Sequence, residues 1–162
     1  MPIILPINNK KTWMSFKKGT SGPGWIITST YDRNWSKYEF ACRIIKSIEL
    51  AYDACKFKKP IEFQDWSGIQ GQILNGHPGA SHSGGYVVDF TYPSPLEVFG
   101  DIVLNAIQYS PNFRFRIHFD IYNFLKKKIK PTMFQYIKNH LEPDNVIEWH
   151  HDKHCHCWWT RH

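Results

Sequence analysis

Two short segments concentrate the side chains that bind metals: Ser81-His-Ser-Gly-Gly-Tyr-Val-Val-Asp89 in the middle of the chain and His150-His-Asp-Lys-His-Cys-His-Cys157 near its end. A catalytic zinc ion takes three protein ligands of nitrogen or oxygen type and leaves a fourth position to water. His82 and Asp89 supply two. If the second segment is a strand, His154 and His156 project to one side and Cys155 and Cys157 to the other. One of the two histidines can then ligate the metal while the other reaches the water or the reacting carbonyl. Zinc lowers the pKa of its bound water to about 7 and polarises a carbonyl. An adjacent histidine can move protons or stabilise a tetrahedral oxyanion, so a peptide bond is the natural target.

The competing readings of the same residues are plainer. Cys155 and Cys157 could build a closed thiolate site with neighbouring histidines, but strand alternation points them away from His154 and His156. His77, His118 and His140 read as ordinary polar histidines. His150 and His151 read as surrounding or exposed residues rather than ligands, because three ligands already suffice. Lys126-Lys-Lys128 with Lys130 reads as a solvated helix face, since no aromatic residues are interleaved with it as in a stacking platform for nucleic acid.

The elements that must position these groups follow from periodicity. Ser36 to Lys56 reads as an amphipathic helix, with Ser36 and Glu39 as a capping box and Phe40, Ile44, Ile48 and Ala51 on one face. Pro60 stops it. PIEFQDW reads as a short strand, Gly68 to Gly85 as a glycine-rich loop, and Tyr86 to Phe90 as a strand. A second helix is expected from Ser94 to about Gln108, with Pro95 in its first position and Glu97 three residues after the cap. Phe113 to Asp120 alternates, with Phe113, Phe115, Ile117 and Phe119 on one face. Two short helices (Ile121 to Ile129, Pro131 to Leu141) and the strands NVIEW and HCHCWW complete the chain. Strands and helices without regular βαβ alternation imply an α+β domain, residues 1–162, with a central antiparallel sheet flanked by helices.

Composition agrees with one domain: 162 residues, 42% hydrophobic, enough to bury a core without disulfides. Four cysteines are too few for a disulfide scaffold, and Cys42 and Cys55 read as small side chains of the first helix. No apolar run is long enough to cross a bilayer, so no membrane insertion is expected. The opening residues place an apolar run before the lysines, the wrong order for a secretory signal. Action outside the cytoplasm would then need release by lysis, another export route, or a leader absent from this sequence. A net charge of +6 favours anionic partners in general and does not choose among them. Some of the seven tryptophans must fill the core, and a minority could line a groove.

A His, an Asp seven positions later and a C-terminal His-x-His resemble the superfamily that joins lysostaphin-type enzymes, D-alanyl-D-alanine metallopeptidases and Sonic hedgehog. Within it, GHPGASHSGGYVVDFTY is most similar to the penicillin-insensitive murein endopeptidases, whose motif runs approximately G-x-x-x-S-H-Q-x-G-x-D-V-D-I. HHDKHCHCWW resembles their closing H-x-D-H-x-H-F-H-V, and Asp65-Trp66-Ser67 resembles the D-x-S before their glycine-rich loop. The likeness covers roughly Asp65 to Trp159. It differs at Ser83, in the place of a glutamine, at Tyr86 and Val87, in the place of a polar pair, and by two extra residues between His77 and His82.

The resemblance implies a hedgehog/D-Ala-D-Ala-peptidase-like fold, zinc (Zn2+) as cofactor on His82, Asp89 and His156, and His154 as the auxiliary catalytic histidine. In many members an acidic residue shortly before the last ligand acts as base, which implies Asp152 here, with Glu148 further back. It also implies peptidoglycan as substrate and murein endopeptidase activity of the kind found in phage lysins. Two other readings remain open: a hedgehog-like zinc module without catalysis, and a basic nucleic-acid-binding protein with an incidental metal site.

Overall fold

The computed structural model describes residues 13–74 and 82–160. Among the described residues nine strands and four α-helices follow one another as β1 (Trp13–Ser15), β2 (Ser21–Gly22), β3 (Trp25–Ile27), β4 (Trp35–Lys37), α1 (Tyr38–Ala54), β5 (Ile61–Phe63), β6 (Val87–Thr91), α2 (Val98–Tyr109), β7 (Phe113–His118), α3 (Phe119–Lys128), α4 (Pro131–Ile137), β8 (Leu141–Asp144) and β9 (His154–Trp159). The fold is α+β. Seven strands form one sheet in the order β2-β3-β5-β6-β9-β7-β8, and β1 with β4 forms a separate ribbon.

The centre of the sheet, β5-β6-β9-β7, is antiparallel. The central antiparallel sheet is as expected, and its flanks add parallel pairs, β3 with β5 and β7 with β8. Parallel neighbours need a crossover connection. The chain supplies α1 between β3 and β5, and α3 with α4 between β7 and β8.

Period-two patterning makes the central strands two-faced. Val88 and Phe90 of β6, Phe113, Phe115 and Ile117 of β7, and Cys155, Cys157 and Trp159 of β9 all enter the core. There they meet Phe40, Ile44 and Ile48 of α1 and Phe99, Ile102 and Val103 of α2. Burying each large apolar side chain contributes about 1.5–3 kcal/mol. Trp25 and Trp66 lie fully inside, while Trp149 stays exposed. One face of the sheet is thereby closed by helices, and polar side chains of β6, β9, β7 and β8 occupy the other.

Several expected boundaries move, each for a local reason. Ser36 belongs to β4, where its hydroxyl donates to the carbonyls of Lys37 and Gly85 instead of capping α1. α2 starts at Val98 rather than Ser94, after Pro95, Leu96 and Glu97 accept three-residue turn bonds from Val98, Phe99 and Gly100. β7 stops at His118 because that imidazole accepts from the Asp120 N–H and caps α3, which leaves Phe119 exposed. Leu141 to Asp144, expected to lie at and beyond a helix end, forms the edge strand β8, and Pro143 is tolerated at such an edge. NVIEW is not a strand: Ile147–Trp149 makes a single 3-10 turn with Ile147 and Trp149 exposed. β8 already occupies that edge, and short apolar runs are the least decisive for strand or helix.

No helix among the described residues is long and apolar enough to cross a membrane. His77 lies outside the described residues.

Candidate metal centre

The site grows from the register of the sheet. Asp89 of β6 lies opposite His156 of β9, His156 lies opposite Arg116 of β7, and Arg116 lies opposite Glu142 of β8. Thr91 faces His154 one rung along. His154, His156 and Trp158 therefore share the open face, while Cys155 and Cys157 are wholly buried in the core. Burial pushes both thiols far up, so they stay protonated and inert. The alternation expected for HCHC holds, and a thiolate site with the histidines is excluded.

His82 arrives by a different route. The glycine-rich loop closes at its neck, where the Gly84 N–H donates to the Gly71 carbonyl at 3.1 Å. The Trp13 indole lies across this neck: a Cβ added at Gly71 or at Gly85 would come within 2.4 Å of the ring, and both glycines have positive φ. No other residue fits beneath that ring without displacement. Lys37 rests on the same indole, 4.2 Å from its centroid.

Asp65-Trp66-Ser67 ties the two sides of the site together. The Trp66 carbonyl holds His82 Nδ1 at 2.9 Å, and the Ser67 hydroxyl accepts from the Gly85 N–H. Asp89 donates its N–H to the Asp65 carbonyl and accepts at its carbonyl from the Gln64 N–H. Two residues thus oppose one, the pairing of a β-bulge, a device common beside functional sites. The Asp65 carboxylate is held in turn by Arg33 at 3.0 Å.

His82, Asp89 and His156 are 2%, 6% and 9% exposed. One ligand atom from each lies within 4.8 Å of the others. His82 Nε2 is 3.1 Å from Asp89 Oδ2, and His156 Nδ1 is 2.9 Å from Asp89 Oδ1. Tetrahedral zinc with bonds of 2.0–2.2 Å sets neighbouring ligand atoms roughly 3.3 Å apart.

The donor chemistry at His82 tests whether these residues fit a cation. A carbonyl oxygen can only accept, so Nδ1 carries the hydrogen and neutral His82 presents a bare Nε2. That lone pair faces a carboxylate oxygen at 3.1 Å. Two acceptors so placed repel unless a proton or a metal ion lies between them. The set therefore fits a divalent cation with nitrogen and oxygen ligands.

Without metal the same geometry shows in the titrations. Burial would raise Asp89, but hydrogen bonds from His156 and His82, together with their charge, outweigh it and hold the carboxyl far below its usual range. Burial would lower His82, yet Asp89 raises it overall. At His156 burial prevails over Asp89, with His82 and Arg116 adding to it, and the pKa falls. His154 is lowered mainly by burial, against the pull of Asp89.

His154 stands at the rim of the triad, with Nε2 3.7 Å from Asp89 Oδ2. Asp152 is exposed and makes no hydrogen bond or ion pair with the triad among the described residues. Glu148 is exposed as well. The place beside His154 belongs instead to His151, which is buried, with its ring perpendicular to that of His154 at 5.7 Å between centroids. Its Nδ1 lies 2.8 Å from Asp144 Oδ2. His151, expected from the sequence to be a surrounding or exposed residue, is thus buried on Asp144, which no motif singles out. The available signal was that His151, His154 and His156 follow one another at intervals of three and two. His118 caps α3, and His140 meets Arg114 and the Phe113 carbonyl. Neither joins the centre.

No protein-family model matches the sequence, and no curated protein matches it.

Proposed function

We propose that this protein is a zinc peptidase of murein endopeptidase type, hydrolysing an amide bond in peptidoglycan stem peptides or cross-links. The observation that carries the metal is His82 Nε2, with the ring hydrogen held on Nδ1, aimed at a buried Asp89 oxygen, and His156 on that carboxylate's other oxygen. The word peptidase rests on His154 at the rim and on the likeness to the murein enzymes.

Zinc held by His82, Asp89 and His156 would supply Lewis-acid polarisation of a carbonyl and a water acidic enough to attack near neutral pH. The chain's own residues supply the rest. The Trp66 carbonyl fixes the tautomer of His82. Asp89, held ionised, contributes the one negative charge of the ligand set. His154, whose lowered pKa keeps it neutral near pH 7, can take a proton at Nε2 from an attacking water and return it to the departing amine. The closed helical face behind β9 keeps the strand that carries both histidines from shifting. A cell-wall substrate places the protein's action at the bacterial wall, after release by lysis or as part of a virion.

Mass spectrometry of muropeptides released from purified murein by the zinc-loaded protein tests the reading and reports the bond cut. Release that stops with chelator and returns with zinc is expected. A zinc-loaded protein that releases nothing is instead a hedgehog-like binding module. Retention on nucleic acid that weakens steeply with salt and survives chelation would mark the third reading.

A further inference from the structure

We propose that Asp144 is a positioning residue of this centre, holding His151 in the tautomer that leaves its Nε2 free to accept a proton beside His154. The inference rests on the peptidase reading for its catalytic consequence and on geometry alone for its structural one.

Asp144 ends β8, in register with His118 of β7, and its carboxylate reaches out of the strand to His151 Nδ1 at 2.8 Å. The two side chains are only 17% and 7% exposed. An ionised carboxylate accepts and cannot donate, so Nδ1 must carry the hydrogen. In a neutral imidazole the other nitrogen is then a bare acceptor, and which nitrogen is bare is set by this one hydrogen bond.

The ring is fixed by more than Asp144. The His151 carbonyl accepts from Tyr92 Oη at 2.6 Å and from the His118 N–H at 3.2 Å, which pins the backbone beneath it. Trp149 packs on one side at 5.8 Å, His154 stands perpendicular at 5.7 Å and His156 lies at 6.4 Å between centroids. His151 is nonetheless outside the group of side chains whose ligand atoms converge, which comprises His82, Asp89 and His156. A buried imidazole with one nitrogen tied to a carboxylate and its ring against the rim histidine is placed to handle protons rather than to hold metal. In the hydrolysis the proton that His154 takes from the attacking water as the C–O bond forms can be shared with His151 Nε2, whose ring stands 5.7 Å from that of His154 between centroids. That proton passes to the amine nitrogen as the C–N bond breaks, so both histidines end unchanged.

The test is long-range proton–nitrogen NMR of the histidine rings in the zinc-loaded full chain, with His151 assigned by its loss in His151→Ala. The unmutated protein is expected to show the Nδ1–H tautomer at His151, and Asp144→Ala a mixture rich in Nε2–H, with zinc content unchanged. Asp144→Asn keeps an oxygen that can accept, so it should hold the tautomer in part and serves if the alanine variant does not fold. On murein, Asp144→Ala should lower kcat 10–100-fold, as loss of a partner that orients a site histidine does, with KM within about twofold. In a His151→Ala background the same change should add nothing. An Nε2–H tautomer at His151 in the unmutated protein overturns the proposal. So does an Asp144→Ala variant that leaves the tautomer or kcat unchanged, or one that lowers kcat equally without His151. Absence of any hydrolysis by the unmutated protein defeats the peptidase reading, and the tautomer still decides what Asp144 does.

Discussion

Asp89 and His156 reach the candidate metal centre from facing positions of a regular antiparallel ladder, whereas His151 reaches it from a turn containing a 3-10 helix and a left-handed residue at His150. On the ladder, placement follows from pairing and from the core behind it: Phe90, Cys155 and Cys157 are fully buried on the reverse face. In the turn, no ladder sets the direction of a side chain, and individual hydrogen bonds from Asp144, Tyr92 and His118 take over that task. Both means bring imidazoles to one spot. The ladder is suited to holding an ion, because a one-residue slip would turn Asp89 or His156 into the core. The turn is suited to groups whose orientation and tautomer matter more than their depth.

The sharpest way to break this contrast is to remove a ligand. His82→Ala or Asp89→Ala should abolish stoichiometric zinc, a larger loss than the roughly 100-fold reached when only a supporting residue is removed. Metal analysis after dialysis against a competing chelator reads this, and equal zinc in His82→Ala would sink the assignment. Next comes the rim. His154→Ala should keep its zinc and lose about 10²–10⁴ in hydrolysis rate, while Asp152→Ala, on an exposed turn position, should stay within about twofold; assays on murein with both zinc-loaded variants compare them.

A third test strikes the support of the ladder. Phe90→Ala should cost about 3–5 kcal/mol of stability by emptying a fully buried ring. Trp149→Ala, in the turn, should change stability by less than about 0.5 kcal/mol; denaturant titration separates them, and equal losses would erase the distinction between the two regions. The smallest effect is the pH dependence of zinc affinity. Zinc requires neutral His82, whose pKa in the metal-free chain is raised despite burial because of Asp89. Affinity should therefore fall as the pH drops below that raised value, by about tenfold per unit for one displaced proton. Asp89, already far below its usual range, should add no proton competition above pH 4. Calorimetric titration with zinc at several pH values reads the slope, and a flat profile from pH 8 to 5 would contradict it.

What the amino-acid order discloses divides along the same line. Alternation in HCHCWW and YVVDF suffices to set His154 and His156 on one face and both cysteines on the other, because a strand's period is two whatever surrounds it. The inward face of α1 is legible for the equivalent reason at period 3.6. The turn is not. Nothing local distinguishes His151, which is buried, from its exposed neighbours His150 and Asp152. That choice comes from Asp144 of β8, His118 of β7 and Tyr92, one residue past β6. NVIEW misleads in the same way, since its apolar residues find the sheet edge already taken by β8. The parallel flanks of the sheet are likewise a property of the crossovers and not of any strand's own pattern.

The neck between Gly71 and Gly84 has a consequence for how such a protein could diversify. Its two ends are hydrogen-bonded to each other under Trp13, and His82 is anchored separately by the Trp66 carbonyl. An excursion of a chain whose two ends are pinned in this way keeps them in place whatever its length. Lengthening such an excursion costs only about 0.6 kcal/mol per doubling. If the protein is the peptidase proposed above, residues could be added between Gly71 and Gly84 to meet a different cross-bridge while His82 keeps its place, which makes this the natural graft point for retargeting it.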